Sequence, residues 1–203
     1  MNLSRIATYQ HKMMDNMIKS TSLANHFLIA MPTLTDPNFQ QSVTYVCEHN
    51  EQGAMGIVIN RPLDIQLGDV LQHMDIEADD PRIAHQVVYL GGPVQTERGF
   101  VIHRPLGRWE AMLQVSDFIG ITTSQDILSA IARGNGPERA VIALGYAGWG
   151  PGQLEKEMLA NAWLSGPADA SIIFDLPWEK RWEAAAALVG VDINRISADV
   201  GHA

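Results

Sequence analysis

Short apolar runs, several alternating with polar residues, dominate the first half of the chain, and helical spacing dominates the second. Residues 27–31 form an apolar run stopped by Pro32, which predicts a strand. Val43, Tyr45 and Cys47 alternate with Thr44, Val46 and Glu48, a period of two that predicts another. A polar loop over 49–53 ending in glycine, then a return at 55–59, predicts a β-hairpin. Asn60-Arg61-Pro62 ends it, because Pro62 has no N–H for a ladder and holds Arg61 away from helix. Leu67, Val70, Leu71 and Met74 share one helical face, and 77–81 is an acidic loop. Residues 87–90 and 99–103, parted by a Gly91-Gly92-Pro93 turn, predict two strands, and 112–115 and 118–121 two more.

Ser124 reads as the N-cap of a helix with Ile127, Leu128 and Ile131 inward and Gly134 as its stop. Residues 141–144 read as a buried strand. A glycine-rich bend, GYAGWGPG, then leads into an acidic helix running through Leu164. Residues 171–174 read as a late strand. Asp175 and Pro177 open a last helix with Trp178, Trp182, Ala185, Ala186 and Val189 on one face and Gly190 at its close. Early hairpins and late helices predict an α+β domain instead of an alternating parallel sheet. Without internal repeat or linker, one domain is expected over 21–203. Residues 1–20 read as an N-terminal extension, with Ile6, Tyr9, Met13 and Met17 at helical spacing and Met13, Met14 and Met17 as alternative starts. A frayed or loosely docked tail is the plain reading, and a weakly basic partner-binding or membrane-surface helix is the sharper one.

Composition narrows the function classes. Apolar residues are 46% and charged residues 18%, as in an ordinary folded domain, while a net charge of −9 disfavours a direct nucleic-acid binder. The single cysteine excludes an internal disulfide, and neither a transmembrane run nor a signal-peptide core is present, so a cytoplasmic protein with no membrane association is expected.

The glycine-rich bend spaces Gly145 and Gly150 as a phosphate loop does. The following positions are Pro151 and Gly152, however, where lysine and a hydroxyl residue are needed, and Glu155 and Glu157 would repel a phosphate. The dinucleotide spacing fails as well, so no cofactor is expected. What remains is backbone shape, with Tyr146, Trp149 and Gln153 as a possible binding lip. Cys47 and His49, two apart on one strand, would point the same way and make a thiol–imidazole pair. Cys47 also shares the register of Val43 and Tyr45, which reads as core. Seven histidines occur without metal-ligand spacing, so no metal is expected. No G-x-S-x-G elbow supports a serine nucleophile.

Five segments, taken in order, resemble the YqgE/AlgH family of small bacterial proteins. They are LANHFLIAMP from Leu23, YVCEHN from Tyr45, GIVINRP from Gly56, GGPV from Gly91 and the bend from Gly145. The resemblance implies an α+β domain with a mixed, partly barrel-like sheet and helices packed outside. Family members usually begin shortly before the Asn-His-Phe segment. The family carries no accepted catalytic residues, and some members are labelled transcriptional regulators linked to exopolysaccharide production. A non-enzymatic binding or regulatory protein, monomeric or weakly self-associating, with a protein or small-molecule partner is therefore expected. Its site would lie where Asn60 and Arg61, the Gly91-Gly92-Pro93 turn and the bend converge, with Arg61 pairing an anion and Trp149 offering a stacking face. The alternative is a thiol-dependent or hydrolytic enzyme using Cys47 with His49.

Overall fold

A computed structural model describes residues 22–193, and the expectations for residues 1–20 lie outside the described residues. In chain order the strands begin with β1 (His26–Ala30), β2 (Val43–Asn50), β3 (Gly53–Val58) and β4 (Pro62–Gln66). Helices α1 (Leu67–His73) and α2 (Pro81–Ala84) follow, then β5 (Val87–Leu90), β6 (Val94–Arg104), β7 (Met112–Gln114) and β8 (Gly120–Thr122). The remainder is α3 (Gln125–Ala132), β9 (Arg139–Trp149), α4 (Gln153–Leu159), β10 (Trp163–Pro167), α5 (Ala170–Phe174) and α6 (Trp178–Leu188).

The sheet is organised around β9. Its first part pairs antiparallel with β6 on one side and parallel with β5 on the other, through Val88↔Ile142 and Leu90↔Leu144. Tyr146 still pairs with Val94 of β6, and the last residues of β9 pair with β3, Ala54↔Trp149 to Gly56↔Ala147. The strand path is β10-β1-β2-β3-β9-β6-β8-β7, with β4 attached through β5, and it curls into an open half-barrel. The change of partner needs close backbone approach. A Cβ on Gly92 (φ 153°) would sit inside the Tyr146 carbonyl, and one on Gly145 (φ 75°) would strike the Gly92 carbonyl oxygen. Only glycine permits both.

One apolar cluster fills the inside and draws on both halves of the sheet: Phe27, Tyr45 and Ile57 meet Phe100, Ile121 and Val141. Ile172 and Ile173 of α5 and Ala185 and Ala186 of α6 cover it. The outer faces are separate. On one half Leu67 and Leu71 of α1 and Ile127 and Ile131 of α3 pack on Val88, Val101 and Ile142. On the other, Leu154 of α4 packs with Val46, Ala147, Trp149 and Trp163. Strands such as 141–144 are buried on both faces, which is why they read as unbroken apolar runs.

The elements differ from expectation in four places. Residues 171–174 are helix α5 and not a strand, because the Asp169 carboxylate caps the Ser171 N–H at 2.7 Å. The helix expected through Leu164 stops at Leu159. Asn161 turns left-handed (φ 56°), and Trp163 then starts β10 beside β1 (Ala30↔Trp163). Pro62 opens a further strand, β4, after closing the hairpin. Finally, the bend is mostly strand, since β9 runs on to Trp149 and the turn itself is only Gly150-Pro151-Gly152.

Candidate functional site

Cys47 and His49 do not form a pair. The β2–β3 register shifts between Val46 and Glu48, a bulge that turns the following side chain over. The Cys47 thiol is 3% exposed in the inner cluster and donates to the Tyr45 carbonyl at 3.3 Å. Burial pushes its pKa far up, outweighing a backbone hydrogen bond from Ile57. His49 lies on the outer face against α4. Its Nδ1 accepts the Leu23 N–H at 3.0 Å, so Nε2 carries the proton and donates to Glu155 Oε1 at 2.9 Å.

The residues expected to bind a ligand hold the scaffold together. Asn60 Oδ1 accepts from the Val43 N–H and its Nδ2 donates to the Gln41 carbonyl, both at 2.8 Å. The Arg61 guanidinium donates to the carbonyls of Pro37 (2.5 Å) and Gln40 (2.7 Å). Together they fasten the 36–41 segment. Phe39 of that segment stacks on Trp149, with ring centroids 6.1 Å apart, and meets Trp163 edge-on at 5.4 Å. Trp149 is buried, and its Nε1 and that of Trp163 both donate to Glu157 Oε2 at 2.9 Å. Gln153 bridges the Gly150 N–H and Glu157 Oε1. Tyr146 faces the inner cluster beside Phe100, on the other side of β9 from Trp149. The turns over 91–93 and 145–146 do meet, backbone on backbone, but the sheet divides the lip's side chains. Among the described residues, no three His, Cys, Asp or Glu side chains gather as a metal-binding group.

A well-formed concavity lies elsewhere, between α1 and the start of α3, above β6. It encloses about 520 Å³. Its floor is apolar, with Val101 and Gly99 from β6, Leu144 from β9, Leu128 from α3, Val70 from α1 and Met74 just after it. Alternation along β6 aims 97, 99 and 101 at this face. Gly99 deepens the floor, since a Cβ there would have nothing within 4 Å. The next residue on the face, His103, is sealed beneath Trp109, with ring centroids 6.2 Å apart. Its Nδ1 donates to the Pro105 carbonyl at 3.1 Å, which leaves Nε2 to accept the Thr122 hydroxyl at 2.9 Å. Asp69, His73 and Glu97 stand on the rim. Asp69 Oδ2 accepts the Gln66 N–H at 2.8 Å, and His73 Nδ1 donates to the Asp69 carbonyl at 2.7 Å. The sequence signal for the groove is a glycine on the sheet face that α1 and α3 cover, and it is visible only once their faces are placed.

The AlgH-like family model matches residues 27–194. A UPF0301 protein of Nitrosococcus oceani is 59% identical over 179 residues, which is 88% of this chain and 96% of that protein. One from Thioalkalivibrio sulfidiphilus is 59% identical over 187 residues, 92% of this chain and all of its own length. The solution structure of the AlgH protein from Pseudomonas aeruginosa superposes with a TM-score of 0.76 at 52% identity, covering 91% of this chain and 97% of that one. A Corynebacterium diphtheriae protein shares the fold at 19% identity, with a TM-score of 0.67 over 85% of this chain and 90% of its own. With the family model spanning residues 27–194 and relatives 59% identical over most of the chain, the chain belongs to the AlgH-like family.

Proposed function

We propose that the protein is a non-enzymatic binding protein of the cytoplasm that acts indirectly on gene expression, through a ligand seated in the groove between α1 and α3. The observation that carries the reading is the groove itself. An apolar floor on a rigid sheet, ringed by a few polar groups and enclosing about 520 Å³, has the construction of a small-molecule site. The state of Cys47 supports it from the other side. A thiol enzyme needs an accessible, easily ionised sulfur, and this one is buried with a raised pKa. The net charge of −9 favours indirect action over DNA contact.

The test is complementation in a strain lacking the gene, read as transcript levels. Cys47→Ala restores the wild-type profile. Gly99→Leu, whose Cβ meets nothing within 4 Å and whose side chain takes up groove space, does not. A folded Cys47→Ala variant that fails would replace this reading with the thiol enzyme, and a Gly99→Leu variant that fully complements would remove the groove from it.

A further inference from the structure

The carboxylates of the groove give its rim charge of one sign. Asp69 uses one carboxylate oxygen on the Gln66 N–H and keeps the other. Glu97 lines the groove and makes no hydrogen bond or ion pair among the described residues. His73 donates through Nδ1, so its neutral ring presents the Nε2 lone pair. All three are acceptors. Of the hydroxyls lining the groove, Ser124 donates to Asp126 Oδ1 at 2.5 Å and Thr122 to His103 Nε2 at 2.9 Å, which leaves the Thr123 hydroxyl and the Gln125 amide as neutral donors. Among the described residues, no lysine or arginine lines the groove. Arg98, between Glu97 and Gly99 in the chain, is turned to the opposite face of β6, its guanidinium 5.4 Å from the centre of the Phe100 ring and donating to the hydroxyl of the groove residue Thr123 at 3.4 Å.

We propose that the groove binds an organic cation with an apolar body, an amine or guanidine carried on an aliphatic or aromatic frame. The assignment rests on the groove being the binding site. The body covers Val70, Gly99, Val101 and Leu128, and the cationic head supplies the donors that Asp69, Glu97 and His73 lack. An anionic head would meet two carboxylates and a net charge of −9, with no lysine or arginine among the described lining residues to receive it. A neutral head leaves the carboxylates to water and gains from the floor alone.

Three probes with one tail separate these cases: octylammonium, octanol and octanoate, titrated into the labelled full-length protein while amide shifts are followed by NMR. Octylammonium shifts the amides of Gly99, Val101 and Leu128 saturably and binds about tenfold tighter than octanol, as two solvent-exposed ion pairs allow. Octanoate binds weakest. Glu97→Gln, an exposed change, narrows the preference for the cation to about threefold. Gly99→Leu abolishes the shifts for all three.

Equal affinities for the three heads, or a preference for octanoate, overturn the cation assignment and leave the groove as the binding site. Shifts that survive Gly99→Leu, or no saturable shift at these amides, overturn both.

Discussion

The Cys47 thiol and the His49 imidazole, two positions apart on β2, lie on opposite faces of the sheet. Cys47 packs inward with Tyr45, and His49 bonds outward to Glu155. A thiolate cannot form in the inner cluster without exposing an uncompensated charge to apolar surroundings. Native protein at about pH 7 therefore resists iodoacetamide, and labelling becomes rapid only in denaturant. Cys47→Ala lowers stability by about 1–2 kcal/mol, through lost packing. Rapid stoichiometric labelling of the folded protein would sink this account.

Arg61 is a test of scaffold against site. Its two terminal nitrogens reach two carbonyls of the 36–41 segment, a forked geometry that lysine lacks. Arg61→Lys costs about 1 kcal/mol and makes the segment around Phe39 open to limited proteolysis. If Arg61 instead serves an ordinary anion, the lysine variant keeps native protease resistance and loses only phosphate-dependent effects. Comparing digestion rates with and without phosphate decides between them.

Much of the fold is legible in the sequence because its signals are local. The alternation over 43–48, the start of α3 after Ser124 and the hairpin loop at 51–52 are each set by neighbouring residues. The errors come from long-range terms. Ser171–Phe174 is a short apolar run with no period of its own, decided by the Asp169 cap. Trp163 is drawn from helix into β10 by the free edge of β1, more than a hundred residues away in the chain. At the site, Asn60, Arg61 and Trp149 look functional because they are polar or aromatic beside glycine and proline. Their partners, the 36–41 carbonyls and Glu157, are what fix their roles. The bulge at Cys47 depends on pairing with β3 and leaves no mark in the period-two pattern.

The interlock of Gly92 with Tyr146 predicts two very different outcomes for one kind of substitution. Gly92→Ala places a methyl group inside the Tyr146 carbonyl, where β9 changes partner, and costs more than about 4 kcal/mol. Gly134, at the end of α3, also has a positive φ (71° against 153° at Gly92), but a Cβ there meets nothing within 4 Å, and Gly134→Ala costs about 1 kcal/mol. Urea midpoints of the two variants check this. Similar losses would mean that the backbone contact at Gly92 is readily relieved.

His103 sets a pH dependence. Burial holds its imidazole neutral and lowers its pKa, although the Pro105 carbonyl, which accepts from Nδ1, pulls the other way. Protonating Nε2 would also abolish its acceptance of the Thr122 hydroxyl. The unfolded chain therefore takes the proton first, near its ordinary value of about 6.5. Stability is fully present above that pH and falls as pH drops from there through the lower folded value, by about 1.4 kcal/mol per unit of displacement. In His103→Gln the residue no longer titrates. The variant is less stable at every pH, and its urea midpoint declines less than that of the wild type between about pH 6.5 and pH 5. Parallel declines would place the titrating group elsewhere and leave His103 as a packing residue.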